Sequence, residues 1–296
     1  MKHLLLSSLC GLLLLSACNK NLEVQITEQE THFDLSVNIS PASLVSGLKN
    51  PVDNTPLFPN GAVDAAYRIR IKLLVYNSNG QAVVQEDLFP STFQESVSYQ
   101  KKVEEGTYTV IACLDIYSPT GAQLFWQYDG LNALSTARIY RDFNNSNTYI
   151  GINALMGMAR QNILVTKAET IHLTLAHTGA MTSFYFTNSN PSYCRYIQYR
   201  YTPLASAYQL ETGAVTQTDF YYAGEIDFTP DSETSYSGYL HMIDYLLPTS
   251  SLSMAYLHFD AAGNALGSTF TISNLTVTAG NHKTLTLDVI NNTYSY

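Results

Sequence analysis

Tyr67-Arg68-Ile69-Arg70-Ile71-Lys72-Leu73-Leu74-Val75 is the stretch that decides the fold class. Apolar residues at 67, 69, 71, 73 and 75 alternate with the cations Arg68, Arg70 and Lys72. A period of two places each set on its own face of a β-strand, whereas a helix would scatter both around its axis. The cationic face reads as the solvent side of an antiparallel sheet. Asn79-Gly80 follows at once, and both residues tolerate the positive φ that tight hairpins need. Upstream, Phe33, Leu35, Val37 and Ile39 alternate with His32, Asp34, Ser36 and Asn38. Further strands are expected from Val103 to Ile116, Ile171 to Leu175, Phe184 to Phe186, Met254 to Phe259, Phe270 to Val277 and Leu285 to Val289. Only Ser135 to Asn144 and Ile152 to Arg160 read as short helices. The fold class is therefore all-β.

The chain has 296 residues, enough for two ordinary domains. Only 13% are charged, about half the usual share, so Ser, Thr, Asn, Gln and Tyr must make most of the polar surface. A net charge of −9 argues against a nucleic-acid partner, which would need clustered cations. A weak internal repeat is visible. Val75 to Val83 parallels His258 to Leu266, each reading strand, Gly turn, strand. Each is followed by a second Gly turn, at Glu105-Gly106 and Ala279-Gly280, into a Thr-rich strand. The repeat implies two tandem antiparallel β-sandwich modules, residues 32–165 and 166–296.

The N-terminus reads as an address. Met1-Lys2-His3 precedes a Leu-rich run from Leu4 to Leu15, too short to span a bilayer and right for a secretory signal. Leu15-Ser16-Ala17-Cys18 resembles the lipobox of bacterial lipoproteins, in which the Cys accepts a diacylglyceryl group before cleavage ahead of it. Residues 1–17 are thus expected to be signal peptide, Cys18 the lipidation site, and 18–31 a polar tether. At about 0.8 kcal/mol per buried CH₂, a two- or three-chain lipid would hold the protein permanently on a membrane. Membrane lipid is the expected partner at Cys18, and the outer membrane, facing the cell surface, the expected location.

Reactive chemistry is scarce. There is no Gly-x-Ser-x-Gly elbow, no phosphate loop and no calcium loop. His172 and His177 lie five apart, on opposite faces of a strand, so they cannot share a metal. His32, His241, His258 and His282 read as solvent-facing or satisfied. The carboxylate pairs Glu104/Glu105 and Asp227/Asp231 are what any acidic chain contains. No catalytic residue, metal site or cofactor is expected. Cys10 would leave with the signal, and Cys113 and Cys194 read as small hydrophobes in strands, with pairing left open. Tyr is abundant, at 22 residues, and the single Trp lies in Phe125-Trp126-Gln127-Tyr128-Asp129. An exposed aromatic beside Gln and Asp can stack on a sugar, so Trp126 and Tyr128 are candidate glycan contacts; the alternative is a core or inter-sheet role.

The lipobox, the tether, the tandem strand pattern and the Gly106-x-Tyr108-x-Val110 strand together resemble the fimbrillin and fimbrial-anchor lipoproteins of Gram-negative bacteria, which carry transthyretin-like domains. The resemblance covers most of residues 18 to 290. It implies a structural protein that meets other fimbrial subunits by strand addition, a neighbour's extended segment filling a groove. Stalk subunits of that family are trimmed after a basic residue near the N-terminus and carry a C-terminal donor strand. Here Lys20 and Lys49 are the only cations between Cys18 and Arg68, and six residues, Asn291 to Tyr296, follow the last expected strand. Both departures favour a membrane-held anchor or minor subunit, and they also fit a protein that does not polymerise. The alternative function is a surface glycan-binding lipoprotein of a polysaccharide-uptake system.

Overall fold

The computed structural model describes residues 31–49, 54–120, 125–141, 154–187, 196–218, 222–227, 235–236, 239–260, 262–288 and 291–295. Cys18, Cys194 and the side chain of His241 lie outside the described residues. In chain order the first strands are β1 (His32–Ser40), β2 (Arg68–Asn77), β3 (Ala82–Leu88), β4 (Val97–Glu104), β5 (Gly106–Tyr117), β6 (Gln127–Asp129) and β7 (Arg138–Tyr140). Then come β8 (Met156–Val165), β9 (Glu169–Thr174), β10 (Ala176–His177), β11 (Ala180–Thr187), β12 (Tyr196–Thr202), β13 (Leu204–Gln209) and β14 (Val215–Thr218). The last are β15 (Tyr222–Asp227), β16 (Ser235–Tyr236), β17 (Tyr239–Leu246), β18 (Thr249–Phe259), β19 (Phe270–Val277), β20 (His282–Asp288) and β21 (Thr293–Ser295). The expectation of an all-β fold holds. The two expected helices do not: Arg138–Tyr140 and Met156–Val165 are strands. Their apolar spacing suited a helix, but β8 is held in register along β5 over its whole length.

Five sheets result. β4-β1-β9 packs against β10-β8-β5-β2-β3 around a first core that includes Leu35, Val37, Ile39, Ile71, Leu73, Val110 and Leu173. β16-β17-β11-β20-β21 packs against β15-β12-β18-β19 around a second core of Phe184, Phe186, Tyr199, Tyr201, Met254, Tyr256 and Leu285. The pairing pattern repeats. β1 lies between antiparallel β4 and parallel β9, as β11 lies between antiparallel β17 and parallel β20. β2 lies between β3 and β5, with β8 beyond, as β12 lies between β15 and β18, with β19 beyond. Each repeat thus carries one parallel pair in an otherwise antiparallel scheme. The sequence placed β9 beyond a boundary at 165/166. It is instead the parallel neighbour of β1, so that boundary cuts through the first set of strands.

The fifth sheet, β14-β13-β7-β6, draws β6 and β7 from between β5 and β8, and β13 and β14 from between β12 and β15. The join is β7 against β13, with Ala207 opposite Tyr140 and Gln209 opposite Arg138. This sheet roofs the outer face of the five-stranded sheet. It explains why β2 and β5 read as alternating at one end and solidly apolar at the other. Leu74 and Tyr76, opposite Ile111 and Thr109, turn away from the first core, yet Leu74, Tyr76 and Ile111 are buried in one cluster with Leu134, Ala137, Ile139 and Leu210. A strand buried on both faces loses its alternation.

The alternation of β1 has a measurable consequence. Ile39→Ala should cost about 3 kcal/mol in chemical denaturation, because it opens a cavity in the first core. Ser36→Ala, on the outer face of the same strand, should stay within about 0.5 kcal/mol.

Candidate functional site

β1 is the element on which the expected assembly chemistry bears. His32 to Ile39 pair with Glu104 to Val97 on one side, and Leu35 to Ser40 with Glu169 to Thr174 on the other. Leu35, Val37 and Ile39 enter the core, while Asn38 accepts a bond from Ser98 Oγ (2.6 Å) and Ser36 Oγ one from Gln100 Nε2 (3.2 Å) on the outer face. The strand is central, bonded along both edges and apolar beneath. Its removal would open a groove lined by the apolar residues of both neighbours.

The sequence-chosen aromatics lie elsewhere. Trp126 is 1% exposed; its Nε1 donates to Ala154 O (2.7 Å), and the Arg141 guanidinium lies 4.5 Å from the ring centroid. No ring face is open to a sugar, so the reading of Trp126 as a surface platform is corrected to that of a core residue. Tyr128 faces inward too. Its Oη donates to Asp115 Oδ1 (3.3 Å), and Arg70 lies 5.0 Å from its ring centroid. Alternation through β6 turns Trp126 and Tyr128 under the roof sheet and leaves Gln127 and Asp129 outside. There Gln127 accepts a bond from Tyr140 Oη (2.8 Å), and Asp129 binds Arg138 (2.7 Å).

The cations of β2 are not bare either. Arg70 donates Nε and Nη2 to the two oxygens of fully buried Asp115 (2.9 and 2.6 Å), and Lys72 pairs with Asp87 (2.6 Å). Burial pushes the Asp115 carboxyl up, and the bonded Arg70 pulls it back. Asp115 was hidden to sequence reading inside an apolar strand.

Where the two strand sets meet, Tyr245 of β17 donates Oη to Met156 O (2.6 Å) and accepts from Gly179 N (2.7 Å). A side chain at Gly179 would strike the Leu246 carbonyl at 2.4 Å. Next to Tyr245, Asp244 is 0% exposed and accepts a bond from Tyr201 Oη (2.5 Å). Burial pushes its carboxyl up to about 7, against the pull of Tyr201 and of the Arg141 charge. His258 is the opposite case. It is buried against Tyr256, its Nε2 lacks a partner among the described residues, and burial pushes it down to about 4. The expectation of a solvent-facing or satisfied ring fails there.

Chemistry beyond packing is sparse. Ser183 Oγ lies 2.8 Å from His282 Nε2, but Ser183 is fully buried, out of reach of a substrate. Among the described residues no cluster of three His, Cys, Asp or Glu could hold a metal ion, and no helix is long and apolar enough to cross a membrane. Cys113 is free and buried, and burial pushes its thiol up.

No family model matches the sequence, and no curated protein is similar to it. Solved structures match it in fold. The fimbrial anchor protein Mfa2 from Porphyromonas gingivalis superimposes with a TM-score of 0.52 at 11% identity, over 89% of this chain and 94% of that one. A candidate polysaccharide-binding protein from Bacteroides thetaiotaomicron gives 0.55 at 12%, over 86% and 91%. A candidate adhesin from Bacteroides ovatus gives 0.51 at 10%, over 88% and 90%. The fold is the one that the resemblance to fimbrial-anchor lipoproteins implied.

Asp244 yields a pH prediction. Its folded-state value lies above the ordinary 3.8, so the ionised form disfavours folding. The penalty is absent below about pH 4 and complete above about pH 7. His258 acts in the opposite sense over the same range, so the comparison must be with Asp244→Asn. The melting temperature of that variant, relative to the parent, should rise by about 5 °C between pH 4 and pH 8. Calorimetry at the two pH values checks it.

Proposed function

We propose that the protein is a lipid-anchored subunit of the cell envelope, a fimbrial anchor or minor fimbrial subunit held at the outer membrane through Cys18. Strand addition to other subunits is its mode of assembly. The observation that carries the reading is the seat of β1: the segment beginning at Cys18 leads into a central strand that fills its own groove. A lipobox-like run ahead of it, the poverty of exposed reactive groups and a fold shared with a fimbrial anchor protein all support the reading. Lys20 is the only cation between Cys18 and β1. A chain that keeps β1 has no vacant groove there for a neighbour, which suits the fixed end of a polymer better than its repeating shaft. The carbohydrate-binding alternative loses its platform with Trp126 and Tyr128 turned inward.

The test is metabolic labelling of the native cell with an alkyne-bearing fatty acid, followed by mass spectrometry of the N-terminal peptide. The label is expected on an N-terminal Cys18, and Cys18→Ala should lose it and leave the membrane fraction. An intact leader or an unmodified Cys18 overturns the anchor. For the fimbrial role, in-cell crosslinking should trap the protein with a fimbrial subunit. Recovery as a monomer only, with fimbriae unchanged after deletion, overturns that half.

A further inference from the structure

We propose that Asn79-Gly80, at the tip of the β2–β3 hairpin, is a site of spontaneous covalent modification that loosens the segment leading into the roof sheet. This goes beyond the reading above, which concerns β1 and Cys18. An asparagine followed by glycine can close on itself, because the glycine has no Cβ to obstruct the approach of its amide nitrogen. A bond forms between Gly80 N and Asn79 Cγ. The Cγ–Nδ2 bond breaks, and ammonia leaves with the proton of Gly80 N. Water then opens the five-membered imide at either carbonyl. One product is an ordinary aspartate at position 79. In the other the main chain runs through the side-chain carbon. Nothing is oxidised or reduced, and the only co-reactant is water.

The chain contains two Asn-Gly pairs, Asn60-Gly61 and Asn79-Gly80, and the structure separates them. Gly61 is buried. Its N donates to Phe58 O (2.9 Å), its O accepts from Phe93 N (2.8 Å), and the Gln94 side chain fills the place a Cβ would take. The buried rings of Phe58 and Phe93 pack together beside it, with centroids 5.0 Å apart. Opening that turn means parting a buried aromatic pair. Gly80 N is bonded too, to Asn77 O (2.9 Å), but a Cβ on Gly80 would meet only Leu134 Cβ, at 3.8 Å. Asn79 is exposed, and its side-chain amide makes no hydrogen bond among the described residues. It lines an open depression of about 410 Å³, so water reaches the turn. A hairpin tip of this kind opens at far lower cost than a buried turn.

What the turn holds decides the consequence. Asn77 Oδ1 accepts bonds from the amides of Asn79 and Gln81, each at 3.0 Å. Leu134 N donates to Gly80 O (2.8 Å), and Ala82 N donates to Asn132 O (3.0 Å). These bonds fix residues 132–134, which run on to Ala137 and Ile139 beneath the roof. An extra main-chain carbon at position 79 displaces the groups that follow it by a bond length. The Asn77 clamp and the Gly80–Leu134 bond cannot then both be kept. An ordinary aspartate leaves the main chain as it was and keeps them. The two products have the same mass and different effects.

The test ages the purified full chain at about pH 8 and about 37 °C, folded and in urea, and maps its peptides by mass spectrometry. Each converted site gains about 1 Da, and an isoaspartyl methyltransferase reports the rearranged main chain. In the folded protein Asn79 should convert at least about fivefold faster than Asn60, whereas in urea the two should keep pace. Amide exchange of the aged folded protein should be faster at Gln81 and Leu134, while fresh Asn79→Asp should exchange like the parent. Asn79→Gln, whose longer side chain closes a ring far more slowly, should age with neither change. Asn60 keeping pace with Asn79 in the folded chain overturns the proposal. So does an Asn79 that converts only in urea, or an aged protein whose exchange at Gln81 and Leu134 is unchanged. Equal loosening in Asn79→Asp would also overturn it, assigning the effect to charge. The assay involves neither lipid nor fimbriae, so its failure leaves the anchor reading standing.

Discussion

The five-stranded sheet is covered on both faces, and the rest of the structure depends on that. Its inner face meets the three-stranded sheet, as in any sandwich. Its outer face could not be left to water, because Leu74, Tyr76, Ile111 and Cys113 point out of it. The roof over these residues is a sheet to which each strand set contributes two strands. Neither set can complete that roof alone. The β7–β13 pairing and the Tyr245 bonds thus join the two sets by backbone and side-chain hydrogen bonds that water is poorly placed to replace. Arg70, Lys72, Asp87 and Asp115 mark the end of the sheet where the roof thins, and there the covered surface is polar but paired.

What repeats in the chain is a pairing scheme rather than a set of residues. The apparent repeat of Val75 to Val83 in His258 to Leu266 matches one turn geometry twice. Asn77 Oδ1 accepts bonds from the amides of 79 and 81, as Asp260 Oδ1 does from 262 and 264. Gly80 and Gly263 both sit at positive φ. Yet the strands either side are not equivalent. The β2–β3 hairpin corresponds in pairing order to β12 and β15, and β18 to β5. A five-residue turn is a local solution that any hairpin can use, so its recurrence marks hairpins without marking modules.

The same distinction divides what was legible in the sequence from what was not. Half-buried strands such as β1 and β19 announce themselves, because one face is wet and the period of two survives. β8 did not, because its inner end is buried all round and its apolar residues lose their period. Position across the sheet is invisible as well. Nothing in Glu169–Thr174 says that it lies parallel to β1, since parallel pairing is decided by tertiary packing and not by a turn. Trp126 shows the limit at single-residue scale. Its neighbours Gln127 and Asp129 suggested exposure, but alternation makes polar neighbours evidence that the ring points the other way. Asp115 and Asp244 left no trace, because a buried carboxylate is recognised only by the Arg70 or Tyr201 that other strands bring to it.

The seat of β1 also fixes how the molecule would bear tension. If a lipid at Cys18 holds the chain, force enters at His32 and runs along the strand axis. The ladder bonds to β4 lie nearly perpendicular to that axis, and those to β9 are slanted but numerous. Pulling along β1 therefore loads both ladders in shear, all bonds together, instead of opening them one at a time from an end. Leu35, Val37 and Ile39 would have to leave the core in the same step. A strand at the sheet edge, bonded on one side only, would resist far less. β21 is such a strand, with three paired residues on β20. On this argument the N-terminal end is the one suited to bearing load, and that asymmetry follows from where β1 sits, whatever partner takes up the other end.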